Sequence, residues 1–248
     1  MSGGAAIGII CKAPRAGKSK TRLIPALGPD LAARLSGCFL RDMAATIAGL
    51  PGSVGARGYA IYAPADAEAE LRALMPPGFG FLFHGDGDLG SVLAGATRNL
   101  LALGHDCVLL VNSDSPTLPP ALLEQAASAL RAGGDRVVFG PATDGGYYLV
   151  GLKAAHARLF ADIAWSTGDV LAQSLARAAE IGLSAHLLGP WYDVDDFESL
   201  AMLRAEIAGH APVCARGMRG GPAAATRALL ASPEARLHGR GASEAARG

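Results

Sequence analysis

The sequence predicts an α/β protein with a mostly parallel central sheet, and two observations support this prediction. Short apolar runs alternate with longer segments of helical spacing, an alternation typical of βαβ units. The chain has 248 residues, of which 50% are hydrophobic, and this is enough for one α/β domain with a buried core.

The predicted strands are short apolar runs that end at a polar, glycine or proline position. The clearest is the fourth, which contains the continuous run CVLLV. In chain order, the predicted strands cover residues 5–11, 58–63, 80–83, 106–111, 136–139, 147–150 and 185–188.

The predicted helices are longer segments whose apolar residues recur every three or four positions. In the first, Leu31, Leu35 and Phe39 fall on one face. Pro119 stands near the first turn of the fourth, where a missing N–H costs nothing. In chain order, the predicted helices cover residues 31–50, 65–74, 89–103, 118–132, 166–181 and 196–208.

The chain changes composition after residue 208. Residues 1–208 are predicted to form a single domain, whereas residues 209–248 are rich in Gly, Ala and Arg and show little apolar periodicity. We expect this C-terminal tail to be partly mobile, with one or two helical turns over residues 224–230.

Charge and cysteine usage exclude several classes of protein. Lys and Arg together number 22, and so do Asp and Glu, which argues against a nucleic-acid or membrane-surface binder. No apolar run approaches the ~18 residues of a membrane span. The start of the chain lacks the basic segment of a signal peptide. The four cysteines of the chain lack the spacing of metal ligands. We therefore expect a cytoplasmic protein with reduced cysteines.

A cluster of cations follows the first predicted strand, and no acidic residue appears before Asp30. Such a loop at the carboxyl end of a strand predicts a site for a polyanion such as a triphosphate. Gly17 allows close approach of the backbone to a phosphate. One alternative is a P-loop, but Lys12 replaces its first glycine; a solvated basic loop is the other. The cations are Lys12, Arg15, Lys18, Lys20 and Arg22.

Carboxylates follow later predicted strands and are expected at the same edge of the sheet. Asp114 comes directly after the fourth strand and is a candidate ligand for Mg²⁺ or Mn²⁺, with a turn or capping role as the alternative. Asp193 and Asp195 alternate as at a strand end. At least one of Asp195 and Asp196 is predicted to cap the last helix, so Asp193 is the better second metal ligand.

A glycine pair marks a third candidate position. Asp144 precedes Gly145 and Gly146, which permits either close approach to an acceptor or a β-hairpin turn. Asp88 is predicted to cap the helix that follows it, and His84 is read as an ordinary residue at a strand end.

Five segments occur in the order KAPRAGKSKTRL, NSDSPTLP, GPATDGGYYLVGL, IAWSTGDVL and YDVDDFESL. Taken in this order, they resemble the radical-SAM/selenodomain-associated transferase family. That family is similar to the GT-A nucleotide-diphospho-sugar transferases and, more distantly, to phospholactate guanylyltransferase and the molybdenum-cofactor nucleotidyltransferases. The resemblance covers roughly residues 5–208 and implies a Rossmann-like, three-layer α/β/α sandwich.

The resemblance also implies site roles. In the nucleotidyltransferase relatives, a Lys-Ser/Thr-Arg-Leu element contacts the triphosphate, and it matches residues 20–23 here. Asp114 and Asp193 match the metal-binding aspartates. The chain departs from those relatives by lacking their GxGTR loop and by having DVDDFESL in place of DxDTPEDL.

The leading functional prediction is a Mg²⁺-dependent nucleotidyltransferase that moves a nucleoside monophosphate from an NTP to a small phosphorylated or phosphonate acceptor and releases pyrophosphate. The predicted catalytic residues are Lys20, Arg22, Asp114 and Asp144. The predicted donor-binding residues are Lys12, Arg15, Gly17, Lys18, Lys20, Thr21 and Arg22.

Two other functions stay open. One is a glycosyltransferase with a nucleotide-sugar donor, and the other is a non-catalytic nucleotide-binding module. Nucleic acid and membrane are not expected partners. Homodimers are common among such transferases, and the sequence leaves the oligomeric state open.

Overall fold

The central sheet has seven strands in the order β3-β2-β1-β4-β6-β5-β7. The computed structural model describes residues 4–85 and 87–235, and the following elements refer to them. All strand pairs are parallel except the two made by β6, which runs antiparallel to β4 and β5. The strands are β1 (Ala5–Lys12), β2 (Arg57–Ala63), β3 (Gly80–Phe83), β4 (Cys107–Val111), β5 (Arg136–Pro141), β6 (Tyr147–Leu152) and β7 (Ser184–Leu187).

Helices cover both faces of the sheet and complete the three layers that the sequence predicts. On one face, apolar side chains of α2, α5 and α7 form a core with Ile7 and Ile9 of β1. On the other, α4 and α6 pack around Ala6 and Leu110. The helices are α1 (Ile24–Leu27), α2 (Pro29–Ala48), α3 (Glu68–Arg72), α4 (Leu89–Ala102), α5 (Pro120–Arg131), α6 (Val170–Glu180), α7 (Phe197–Ile207) and α8 (Ala224–Leu230).

The predicted elements are present, with two differences in detail. The helix predicted to start at residue 166 begins at Val170, because Ser166 has a φ of 64° and Thr167 donates a hydrogen bond to Ala164 O in a turn. Residues 21–27 form a 3-10 turn followed by α1, which the sequence analysis does not predict. Among the described residues, none of the helices combines the length and apolar character needed to cross a bilayer.

One edge of the sheet collects the ends of several chain segments. β1, β4 and β5 end there, and the hairpin between β5 and β6 turns there. Residues that follow β7 return along the same edge: Thr143 N donates to Trp191 O, and Val194 N donates to Asp114 O at 2.8 Å. The loops predicted to bear chemistry are therefore neighbours.

The C-terminal segment packs against α2 through α8, whose bounds match the predicted helical turns. Both carboxylate oxygens of Asp42, a buried residue in α2, accept hydrogen bonds at 2.8 Å from Ala225 N and Thr226 N. Residues 236–248 of the predicted tail lie outside the described residues. The domain division at residue 208 stays a prediction.

Candidate active site

Lys20 joins three segments at the carboxyl edge of the sheet. Its Nζ atom lies 2.7 Å from Asp114 Oδ1 and 2.7 Å from Asp195 Oδ1. The side chain is only 6% exposed, and the ammonium lies 5.5 Å from the centre of the Phe39 ring. The structure thus places Lys20, predicted to bind donor phosphates, in contact with Asp114, predicted to bind a metal, and with Asp195.

Asp195 is not among the predicted site residues, although its spacing from Asp193 indicates the same strand end. At least one of Asp195 and Asp196 is predicted to cap the last helix, and Asp196 fills that role. It accepts from Ser199 N at 2.9 Å in a capping box at the start of α7. Asp195 is therefore left to face Lys20.

The loop before Lys20 is held by a small hydrogen-bonded turn. Ser19 Oγ accepts from Arg15 N at 3.0 Å and donates to Ala13 O at 3.4 Å. Gly17 has a φ of 73°, and none of the described residues would contact an added Cβ there, so its role is conformational. Lys20 itself has a φ of 48°, which is uncommon for a residue with a side chain.

Asp193, Asp144, Asp195 and Asp114 form an acidic cluster whose charges act on one another. Burial raises the pKa of Asp193 to about 7, and the charges of Asp144, Asp195 and Asp114 add to the rise. Burial by itself would lower the pKa of Lys20, but the adjacent Asp114 and Asp195 carboxylates outweigh it and the net pKa is raised. The site therefore attracts cations, and the Lys20 ammonium is one that the chain itself supplies.

Asp144 lies in the turn of the β5–β6 hairpin, so the turn interpretation of this motif holds. Its Oδ1 accepts from Gly146 N at 2.9 Å, and its side chain is exposed. Gly145 has a φ of 93°, and an added Cβ would lie 2.0 Å from Gly168 O. Asp144 is also among the charges that raise the pKa of Asp193.

Most cations of the first loop face solvent. The side chains of Lys12, Lys18 and Arg22 are exposed and make no hydrogen bond or ion pair within the described part of the chain. Thr21 is exposed in the 3-10 turn that follows Lys20. These side chains are available to a ligand at the edge of the sheet.

Arg15 differs from the other cations of this loop. Its Nη2 lies 2.7 Å from Glu70 Oε1 and 3.2 Å from Asp66 Oδ2, so two carboxylates of the α3 region already hold its guanidinium. Arg15 fastens the loop to that region, and its predicted contact with a donor stays a prediction.

The donor set fits a divalent cation that binds together with a phosphate. No group of three or more His, Cys, Asp and Glu side chains among the described residues is arranged to hold a metal. Mg²⁺ usually takes one or two carboxylates and completes its shell with water and substrate phosphates. Asp114 and Asp193 can supply two carboxylates, and the burial of Asp193 beside other acids favours a cation at that position.

A separate cavity of about 630 Å³ lies away from these residues. It opens between α2, α3 and α8, and neither Lys20 nor any aspartate of the cluster lines it. Its charged lining groups are Asp30, Arg34, Arg41 and Glu70. The convergence of Lys20, Asp114 and Asp195 identifies the edge of the sheet as the better candidate for chemistry.

Two sequence comparisons add little about chemistry. Residues 46–167 match a family described as "Uncharacterized protein conserved in bacteria (DUF2064)". Comparison with curated proteins finds no match.

Solved structures give a stronger comparison. A proposed nucleotide-diphospho-sugar transferase from Desulfovibrio desulfuricans G20 is 30% identical, with a TM-score of 0.81 over 96% of this chain and 98% of that one. CMP:2-keto-3-deoxy-manno-octonic acid synthetase, complexed with CTP, is 14% identical, with a TM-score of 0.52 over 83% and 98%. A nucleotidyl transferase from Methanothermobacter thermautotroptrophicus is 17% identical, with a TM-score of 0.51 over 82% and 97%. The last two share the fold, which confirms the predicted α/β class.

Proposed function

The chain belongs to the same protein family as the Desulfovibrio desulfuricans protein, and from that premise we propose that it is a Mg²⁺-dependent nucleotidyltransferase. One observation carries the proposal. A buried lysine contacts Asp114 and Asp195 at the edge of the sheet, next to a loop of exposed cations. Exposed cations in the same loop as a lysine that contacts two carboxylates suit a polyphosphate donor bound with a divalent ion.

The residues of the chain divide into a donor side and an acceptor side. On the donor side, the exposed Lys12, Lys18 and Arg22 hold the phosphates of an NTP, and Lys20 lies at the boundary. Asp114 and Asp193 would hold Mg²⁺ or Mn²⁺, which when bound neutralises charge on phosphate oxygens. On the acceptor side, Asp144 contacts the substrate that receives the nucleotide.

The proposed reaction asks for positioning and charge stabilisation rather than covalent catalysis. An oxygen of a small phosphorylated or phosphonate acceptor attacks the α-phosphorus of the NTP, and a new P–O bond forms. The bond between the α-phosphorus and the bridging oxygen breaks, and pyrophosphate leaves with that electron pair. A general base is not required when the attacking oxygen is already an anion.

A second candidate is a glycosyltransferase that uses a nucleotide-sugar donor. It is supported by the relative from Desulfovibrio desulfuricans, which is described as a proposed nucleotide-diphospho-sugar transferase. In this case a nucleoside diphosphate leaves, and Asp144 contacts an acceptor hydroxyl. The number of exposed cations favours the triphosphate donor, because a diphosphate bound with a divalent ion carries less charge to balance.

Product analysis separates the two reactions. The purified protein is incubated with Mg²⁺, a set of small phosphorylated acceptors and either NTPs or nucleotide sugars, and ³¹P NMR identifies the phosphorus products. Nucleotidyl transfer predicts pyrophosphate from one NTP in the wild type and a rate at least about 100-fold lower in Asp114→Asn. Release of a nucleoside diphosphate from a nucleotide sugar, without pyrophosphate from any NTP, would establish the second candidate instead.

A further inference from the structure

The ammonium of Lys20 occupies a position where it competes with the proposed divalent ion. Asp114 is the carboxylate that the proposed function assigns to Mg²⁺, yet Lys20 Nζ lies 2.7 Å from its Oδ1 atom. A divalent cation and an ammonium that share one carboxylate repel each other strongly at such distances. The inference below rests on the proposed function for the identity of that ion.

Lys20 contacts both aspartates from a buried position in the folded chain. The ammonium has two carboxylate partners at equal distance, and the lysine side chain is almost fully buried. The left-handed backbone at Lys20 and the Ser19 turn direct the side chain inward. Asp114 Oδ1 also accepts from Ser113 Oγ at 3.2 Å, so this carboxylate is fixed from two sides.

We propose that Lys20 is the resident counter-cation of Asp114 in the free protein, and that it gives up Asp114 but keeps Asp195 when a divalent ion binds. Asp195 is the positioning residue in this exchange, because it holds the ammonium near the site after Asp114 is released. The freed ammonium then faces the donor phosphates. Lys20 thus neutralises Asp114 in the free protein and faces the donor phosphates when the divalent ion is bound.

The exchange predicts a specific effect on metal affinity in the absence of nucleotide. Removal of the Lys20 charge eliminates the competitor, so Lys20→Met should bind Mn²⁺ at least about tenfold more tightly than the wild type. Lys18→Met is the matched control, since it removes the same charge from the same loop at an exposed position, where no carboxylate of the described residues contacts it. The affinity of Lys18→Met for Mn²⁺ should differ from that of the wild type by no more than about threefold, because solvent screens the charge of Lys18.

The measurement is a Mn²⁺ titration of the three proteins by calorimetry and electron paramagnetic resonance, without nucleotide. Equal affinities in Lys20→Met and Lys18→Met would overturn the inference, and so would the absence of Mn²⁺ binding in all three. Neither result depends on turnover, so pyrophosphate release still judges the proposed function separately.

A second measurement uses the wild type alone and does not depend on the folding of Lys20→Met. The lysines of the chain are Lys12, Lys18, Lys20 and Lys153. An amine-reactive reagent followed by peptide mass spectrometry gives the labelling rate of each. Saturating Mg²⁺ should raise the rate at Lys20 several-fold and leave Lys153 unchanged; an unchanged rate at Lys20 would contradict the exchange.

Discussion

At the scale of single residues, the proposed site depends on Lys20. A non-glycine residue with a φ of 48° is an uncommon conformation that persists where the surroundings determine it. Here the surroundings are Asp114 and Asp195, which hold the ammonium beneath the surface. The strained backbone and the buried charge are therefore two parts of one arrangement.

The first prediction concerns Lys20 and Asp114, the two partners of this ion pair. Lys20→Ala and Asp114→Asn should each lower kcat/KM by about 100-fold or more, because one positioned charge contributes about 3 kcal/mol to a transition state of this type. Steady-state kinetics with the best NTP and acceptor measure the effect. Lys153→Ala is the control, and its rate should stay near that of the wild type. Near-normal rates for both site variants would contradict the assignment.

The sequence predicts most of the site but not the pairing within it. Lys20 and Asp114 stand out because each follows a strand. Which of Asp193, Asp195 and Asp196 contacts Lys20 depends on the direction of each side chain. That direction is set by the backbone conformation before α7. Sequence spacing does not contain that information, so Asp195 was missed.

At the scale of elements, the hairpin between β5 and β6 depends on a close backbone contact. The second prediction is that Gly145→Ala destabilises the fold more than Gly134→Ala. Both glycines have positive φ, 93° and 83°, but only at Gly145 would an added Cβ meet another backbone, 2.0 Å from Gly168 O. Gly134→Ala should cost about 1 kcal/mol, the conformational penalty alone.

Urea denaturation of both variants measures this difference. Gly145→Ala should lose at least about 2 kcal/mol more than the control, because the contact between the two loops must open. Equal losses would show that the contact contributes nothing.

The attachment of α8 gives the third prediction. Asp42→Ala removes the carboxylate that accepts from Ala225 N and Thr226 N, so the free energy of unfolding should fall by about 1–3 kcal/mol. Amide hydrogen exchange should show the largest loss of protection at the start of α8. Arg41→Ala, at an exposed neighbouring position, should change stability by less than about 0.5 kcal/mol. Unchanged protection at α8 in Asp42→Ala would refute the capping role.

Element types were more predictable than their directions. The apolar runs and the helical stripes mark where strands and helices form, because burial imposes those periodicities. The antiparallel direction of β6 was not assigned, since a short buried run has the same composition in either direction. The docking of α8 was also missed, because Asp42 is one polar residue within a long helix and its partners lie far along the chain.

At the scale of the whole molecule, charge is balanced overall but separated locally. The chain has a formal net charge of +0, whereas exposed cations and an acidic cluster meet at one edge of the sheet. The fourth prediction is therefore a salt-dependent nucleotide affinity. Kd for the preferred nucleotide should rise several-fold when NaCl is increased from about 50 to 300 mM, because exposed charges are screened.

The same titration on Lys12→Gln tests the origin of this effect. The variant should bind more weakly at low salt and show a smaller dependence on NaCl, since one screened contact is lost. An identical salt dependence in wild type and variant would remove Lys12 from the donor site.

The most direct test of the account is a thermal-shift panel on the wild type. ATP, GTP, CTP and UTP are compared with UDP-glucose, UDP-N-acetylglucosamine and GDP-mannose, each with Mg²⁺ and with EDTA. A ligand at 100 times its Kd stabilises by about 2.7 kcal/mol, which raises Tm by roughly 5–11 °C for a chain of this size. We expect such a rise in Tm for one NTP in Mg²⁺ and its loss in EDTA. The absence of a Tm shift with every ligand would contradict a nucleotide site at Lys20 and Asp114.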